Sequence, residues 1–120
     1  MGGDRPDEVL DALKAAAEGL EENITLLKSA LEGMGRIREQ RLSGMTYSEM
    51  ADNSDLPHLV EIFRTTLRVL ERHGHRLRVA GVRTLHAEGL TIDRIAKLFG
   101  VSRQRVSVLL RSPPQESAPL

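Results

Sequence analysis

The residues best equipped to engage a partner are Ser102, Arg103, Gln104 and Arg105, which follow a Gly-Val pair in the segment "LFGVSRQRVSVLLR". An Arg guanidinium can make two parallel hydrogen bonds to the O6/N7 edge of guanine, and a Gln amide can do the same at the N6/N7 edge of adenine. A Ser hydroxyl beside the free amides of a helix start suits a phosphate oxygen. If a helix starts at Ser102, Val106, Leu109 and Leu110 turn inward. Arg103, Gln104, Ser107, Val108 and Arg111 then make up its outer face.

A preceding element must hold that helix. In "TIDRIAKLFG", Thr91 is placed to cap a short helix, and Asp93 lies in its first turn, where the dipole favours an acid. Ile92, Ile95 and Phe99 share one face, and Ala96 is small enough there for a second helix to cross closely. Gly100 falls where the chain must turn sharply, and glycine enters the left-handed region without Cβ strain. Val101 fills the corner.

The order Ile95, Ala96, Phe99, Gly100, Val101, Ser102, Val106, Leu109 resembles the helix-turn-helix framework. The stretch "GVSRQRVSVLL" is most similar to the promoter-reading C-terminal domain of bacterial sigma factors, and also resembles the DNA-binding tail of serine resolvases. The resemblance covers residues 76–111 and implies a tri-helical DNA-binding unit. In such a unit Arg103, Gln104 and Ser107 face bases, while Arg94 and Lys97 lie near the duplex backbone. The candidate DNA-contacting set is Thr91, Arg94, Lys97, Ser102, Arg103, Gln104, Arg105, Ser107, Val108 and Arg111. The other domains of a sigma factor, and the catalytic Ser domain of a resolvase, have no counterpart among the 120 residues. The expectation is therefore a stand-alone DNA-binding protein.

Charge supports a polyanion at one end of the chain. The formal net charge is zero. Residues 1–35 carry three basic and eight acidic groups, net −5, whereas residues 73–111 carry eight basic and two acidic groups, net +6. Ordinary solvated helix faces are the alternative source of such a gradient. The basic residues are nearly all Arg, as in a GC-rich genome, and a bacterial source is what the sigma-factor resemblance implies. With no Cys, disulfides, Cys-ligated zinc and thiol nucleophiles are excluded. No apolar run approaches the ~18 residues of a membrane span. The start "MGGDRPDEVLDALK" is polar and unlike a signal peptide, so the expected location is the cytoplasm, on the nucleoid, away from membranes.

Helical spacing runs through the whole chain and strand alternation is almost absent, which predicts an all-α fold. The first helix should begin near Pro6 or Asp7, capped by Asp4 or Asp7, and stay helical to about Leu42 before stopping at Gly44. Its apolar residues Leu10, Leu13, Ala17, Leu20, Ile24, Leu27, Leu31 and Met34 step by three and four, a heptad seam. Lys14, Glu21 and Lys28 flank it. The seam reads as a dimerisation helix, or else as a long amphipathic helix packed on its own chain. Thr46 should cap a short helix ending near Asp52. A longer one should run from about Pro57 to His73, with Leu59, Ile62, Phe63, Thr66, Leu67 and Leu70 as its core stripe. His73-Gly74-His75 reads as a break, followed by a helix from about Arg76 to Glu88 that Gly89 stops. The tail "SPPQESAPL" reads as disordered. The expected organisation is a dimerisation helix (1–42), a degenerate helix-turn-helix-like unit (43–75), the DNA-binding unit (76–111) and a tail (112–120).

An internal repeat underlies this organisation. At an offset of 45 residues, Arg38 meets Arg83, Gly44 meets Gly89, Thr46 meets Thr91, Met50 meets Ile95 and Ala51 meets Ala96. The match then decays, with Asp55 in the place of Gly100 and Pro57 in that of Ser102.

These observations predict a sequence-specific regulator that binds double-stranded DNA as a homodimer. The competing expectation is a protein-interaction adaptor whose acidic helix and degenerate unit grip the transcription machinery or another regulator. No cofactor is expected, and no metal, since His73-Gly74-His75 reads as an ordinary solvated loop. No enzyme is expected either: the carboxylates are scattered, Glu39 and Glu49 read as surface residues, and neither a Ser-His-Asp order nor a phosphate loop is present.

Overall fold

The computed structural model describes residues 7–52 and 55–112. Among them every regular element is a helix: α1 (Glu8–Leu42), α2 (Tyr47–Met50), α3 (Asp55–Ala87), α4 (Ile92–Phe99) and α5 (Arg103–Arg111). The ends of these helices are set by local chemistry. Asp7 accepts the Leu10 N–H at 3.0 Å to start α1. Thr46 and Glu49 form a capping box around α2, each side chain taking the other's backbone N–H, at 3.1 and 2.9 Å. Asp4, Pro6 and the tail beyond Ser112 lie outside the described residues.

The repeat is reproduced in the backbone. Gly44 and Gly89 both sit in the left-handed region, at φ 102° and 105°. Each donates its N–H back to the helix it ends, Gly44 to Arg41 and Gly89 to His86. The next residues, Met45 and Leu90, reach the carbonyls of Gln40 and Leu85. Met50 and Ile95 are both buried, each one turn into its short helix.

The described residues fall into two compact units. The middle unit is Glu18–Glu71. In it α1 and α3 run antiparallel: the Asn23 side-chain amide donates to the Thr66 carbonyl at 3.1 Å, and Arg36 holds the Asp55 carboxylate through two nitrogens, at 2.9 and 3.0 Å. The buried row of α1 is Gly19, Asn23, Ala30 and Gly33, with Leu26 and Ile37 half-buried. The inward positions of α1 are thus mostly small residues. α3 answers with Ile62, Thr66 and Val69, and with half-buried Leu59. Phe63, Leu67 and Leu70, expected in the core, instead face outward. The buried row lies one residue, or ~100° of helix, away from them.

The other unit takes the chain up to Ala17 and from Arg72 onward. The expected break at His73-Gly74-His75 is absent, and α3 runs straight through it. A Cβ on Gly74 would meet nothing within 4 Å, so the glycine costs only its ~1 kcal/mol propensity penalty. A break would instead leave the backbone groups of two helix ends without partners. The core of this unit joins Val79 and Val82 of α3, Ile95 and Ala96 of α4, and Val106 and Leu109 of α5. Leu85, Leu90, Ile92, Phe99, Val101 and Leu110 pack around it.

Candidate nucleic-acid interface

α4 and α5 are two short helices joined through Gly100, Val101 and Ser102, and each carries its own cap. Thr91 Oγ1 accepts the Arg94 N–H at 3.2 Å, and Ser102 Oγ accepts the Arg105 N–H at 3.0 Å. Both hydroxyls keep a hydrogen free to donate outward. Gly100 has φ 66° and ψ 35°, a left-handed stop, and Val101 N–H returns to the Ala96 carbonyl at 3.0 Å.

With Val106 and Leu109 buried, helical geometry fixes what α5 presents. Arg103, Gln104, Arg105, Val108 and Arg111 are exposed, and Ser107 is half-buried. Thr91, Arg94 and Lys97 are exposed along α4. The sequence-derived candidates therefore all belong to one unit and, Ser107 excepted, are open to solvent. The first turn of α5 offers two guanidinium groups and an amide beside the free N–H groups of a helix start. That set can bind phosphates and hydrogen-bond to base edges.

Two features emerge only in the structure. Arg103 Nε lies 2.8 Å from Asp93 Oδ1, an ion pair between α5 and the first turn of α4. Both side chains are largely exposed, so the pair is weak and exchangeable. Nothing in the spacing of the two residues announces it. The second is Gly81 of α3, where a Cβ would stand 3.0 Å from the Phe99 ring. Its absence lets Phe99 close the core that supports α4. The signal was present, a glycine among apolar residues in "VAGV", but a glycine inside a helix has several readings.

The charge gradient also includes a structural member. Arg83 is half-buried, with its Nε 3.2 Å from both Glu8 carboxylate oxygens and its Nη1 donating to the Ser112 carbonyl at 2.9 Å. It ties the start of α1 to the end of α5.

The heptad residues are exposed in the single chain. Leu10, Leu13 and Ala17 lie in the unit that carries α5, and Leu20, Ile24, Leu27, Leu31 and Met34 in the middle unit. The middle unit also holds a groove lined by Met34, Ile37, Arg38, Arg41, Leu42, Tyr47, Leu56 and Leu59. The Arg41 guanidinium stacks there on the Tyr47 ring at 4.6 Å. Two carboxyls of this unit titrate low. The Thr46 backbone N–H, then its hydroxyl, holds Glu49 below its ordinary value, and the hydrogen bonds from Arg36 do the same for Asp55.

Among the described residues no group of three His, Asp or Glu is placed to hold a metal ion. None of the described helices is long and apolar enough to cross a membrane. Comparison of the chain with family models, with characterised proteins and with solved structures returns no match.

Proposed function

We propose that the protein is a sequence-specific transcriptional regulator that binds double-stranded DNA as a homodimer. In this reading α4 and α5 form a helix-turn-helix, and residues 102–111 enter the major groove. The supporting observation is the division of α5: Val106 and Leu109 are sealed into the core, while Arg103, Gln104 and Arg105 stand exposed in the first turn. A hairpin that served only to pack would have no need of three such donors at a helix start. Bases would be read by Arg103, Gln104 and Ser107, with thymine methyls meeting Val108. Thr91, Arg94, Lys97, Ser102, Arg105 and Arg111 would hold the backbone. The exposed seam of α1 would pair the chains and set two recognition helices about one helical turn, ~34 Å, apart.

The second reading is an adaptor that grips a protein of the transcription machinery. It draws on the apolar groove beside Arg38 and Arg41. Salt separates the two. Each neutralised phosphate contributes ~0.9 to the slope of log affinity against log salt. The DNA-binding reading predicts a slope of several units in fluorescence anisotropy with a labelled duplex. No binding at low salt by folded protein would leave the adaptor.

A further inference from the structure

Each long helix of the middle unit carries two rows of side chains, one residue apart. In α1 the inward row at 19, 23, 26, 30 and 33 is followed by Leu20, Ile24, Leu27, Leu31 and Met34. In α3 the inward row at 55, 59, 62, 66 and 69 is followed by Leu56, Val60, Phe63, Leu67 and Leu70. One residue is a rotation of ~100° about the helix axis. Because α1 and α3 run antiparallel, equal rotations along the chain carry both outer rows to the same side of the pair. The result is one continuous apolar face, its side chains 38% (Met34) to 67% (Leu31) exposed. Large side chains about half exposed make up roughly 900 Å² here, comparable to the ~800 Å² each partner gives a standard specific interface. A monomer rarely leaves so much contiguous apolar surface in water.

We propose that this two-helix face docks on the same face of a second copy, closing a four-helix bundle in which α1 lies on α1 and α3 on α3, both antiparallel. The rim charges select that orientation. Beyond the outer row of α1 lie Glu21, Lys28 and Glu32, and beyond that of α3 lie Glu61, Arg64, Arg68 and Glu71, all exposed. The register set by Asn23–Thr66 and Arg36–Asp55 brings Glu21 level with Glu71, and Lys28 level with Arg64. Arg68 lies with the first pair, and Glu32 and Glu61 with the second, so one end of the face is net acidic (two acids, one base) and the other neutral (two acids, two bases). A two-fold axis running across the helices sets the acidic end of one copy on the neutral end of the other. An axis running along them would oppose like charges, which is unfavourable. The favoured axis passes level with Ile24 and Leu67, so each of these meets its own twin.

This inference rests on the dimeric part of the proposed function and on none of its DNA part. The chain has no cysteine, so a single introduced thiol reports a single position. With a short bis-maleimide, full-length Leu67→Cys is expected to give a covalent dimer. Leu56→Cys, whose twin would lie ~30 Å away at 1.5 Å per residue, is expected to give none. Cross-linking at Leu56, or its failure at Leu67 in protein that sediments as a dimer, overturns this face while leaving the dimer standing. A wild-type monomer in sedimentation equilibrium overturns both, whatever the DNA affinity. Phe63→Glu combined with Leu67→Glu is expected to sediment as a monomer with unchanged helical circular dichroism. A dimer that survives that pair of changes overturns the face.

Discussion

At the scale of single residues, the proposed function divides the exposed cations into base readers and backbone holders. Arg103→Ala is expected to relax preference at one base pair, costing roughly 1–3 kcal/mol there, while Lys97→Ala weakens all sequences alike and lowers the salt slope by about one. Competition binding with single-base-pair variants of a bound duplex measures both. Equal loss on every sequence from Arg103→Ala would remove it from the reading set. Asp93 pairs with Arg103 at 2.8 Å and adds a negative charge where phosphates would approach. Asp93→Ala is expected to raise affinity for unrelated duplexes and so to lower discrimination. An unchanged ratio of specific to non-specific affinity would show that Asp93 does not hold Arg103 for reading. The two glycines of α3 make a paired test in thermal or urea unfolding. Gly74→Ala, into open space, is expected to stabilise by about 1 kcal/mol. Gly81→Val drives a branched side chain against the Phe99 ring and is expected to destabilise by roughly 1–3 kcal/mol.

At the scale of elements, what the sequence declares locally could be read from it. Thr46, Thr91 and Ser102 start helices, and Gly44, Gly89 and Gly100 end them, because a cap or a left-handed glycine depends on only a few neighbouring residues. Two other features could not be settled that way. Gly74 read as a break because propensity alone does not weigh an unbroken backbone ladder against one glycine. The sequence leaves the facing of α3 open because its apolar residues fill adjacent rows, Leu59/Ile62/Thr66 and Phe63/Leu67/Leu70. Periodicity identifies rows without saying which one the neighbouring helix covers; in α1 it is the small residues that lie inward. Acid is the expected weakness of these elements. Glu49 and Asp55 have folded-state values below their unfolded ones, so both stabilise fully above the ordinary carboxylate range near pH ~4. That contribution is lost as pH falls through the lowered folded values. Melting temperature should therefore drop below pH ~4, and less steeply in Asp55→Asn. Identical pH profiles for the two proteins would remove the Arg36–Asp55 bridge from the account.

At the scale of the whole molecule, the exposed charges of α4 and α5 and the uncovered apolar rows of α1 and α3 call for different partners. The first was legible in residue type and spacing. Half of the second was hidden, because the Leu10–Met34 seam shows in the sequence of one helix, whereas the contribution of α3 emerges only once the antiparallel register is known. In the proposed function, a dimer with a basic recognition helix in each copy demands a two-fold DNA site. The most direct measurement is recovery of sheared genomic DNA by the purified full-length protein at moderate salt, followed by sequencing of what it retains. The proposed function predicts a few strongly enriched sites that share an inverted repeat, with half-sites about one helical turn apart. Recovery of no DNA by folded protein, or of all sequences equally, would contradict it.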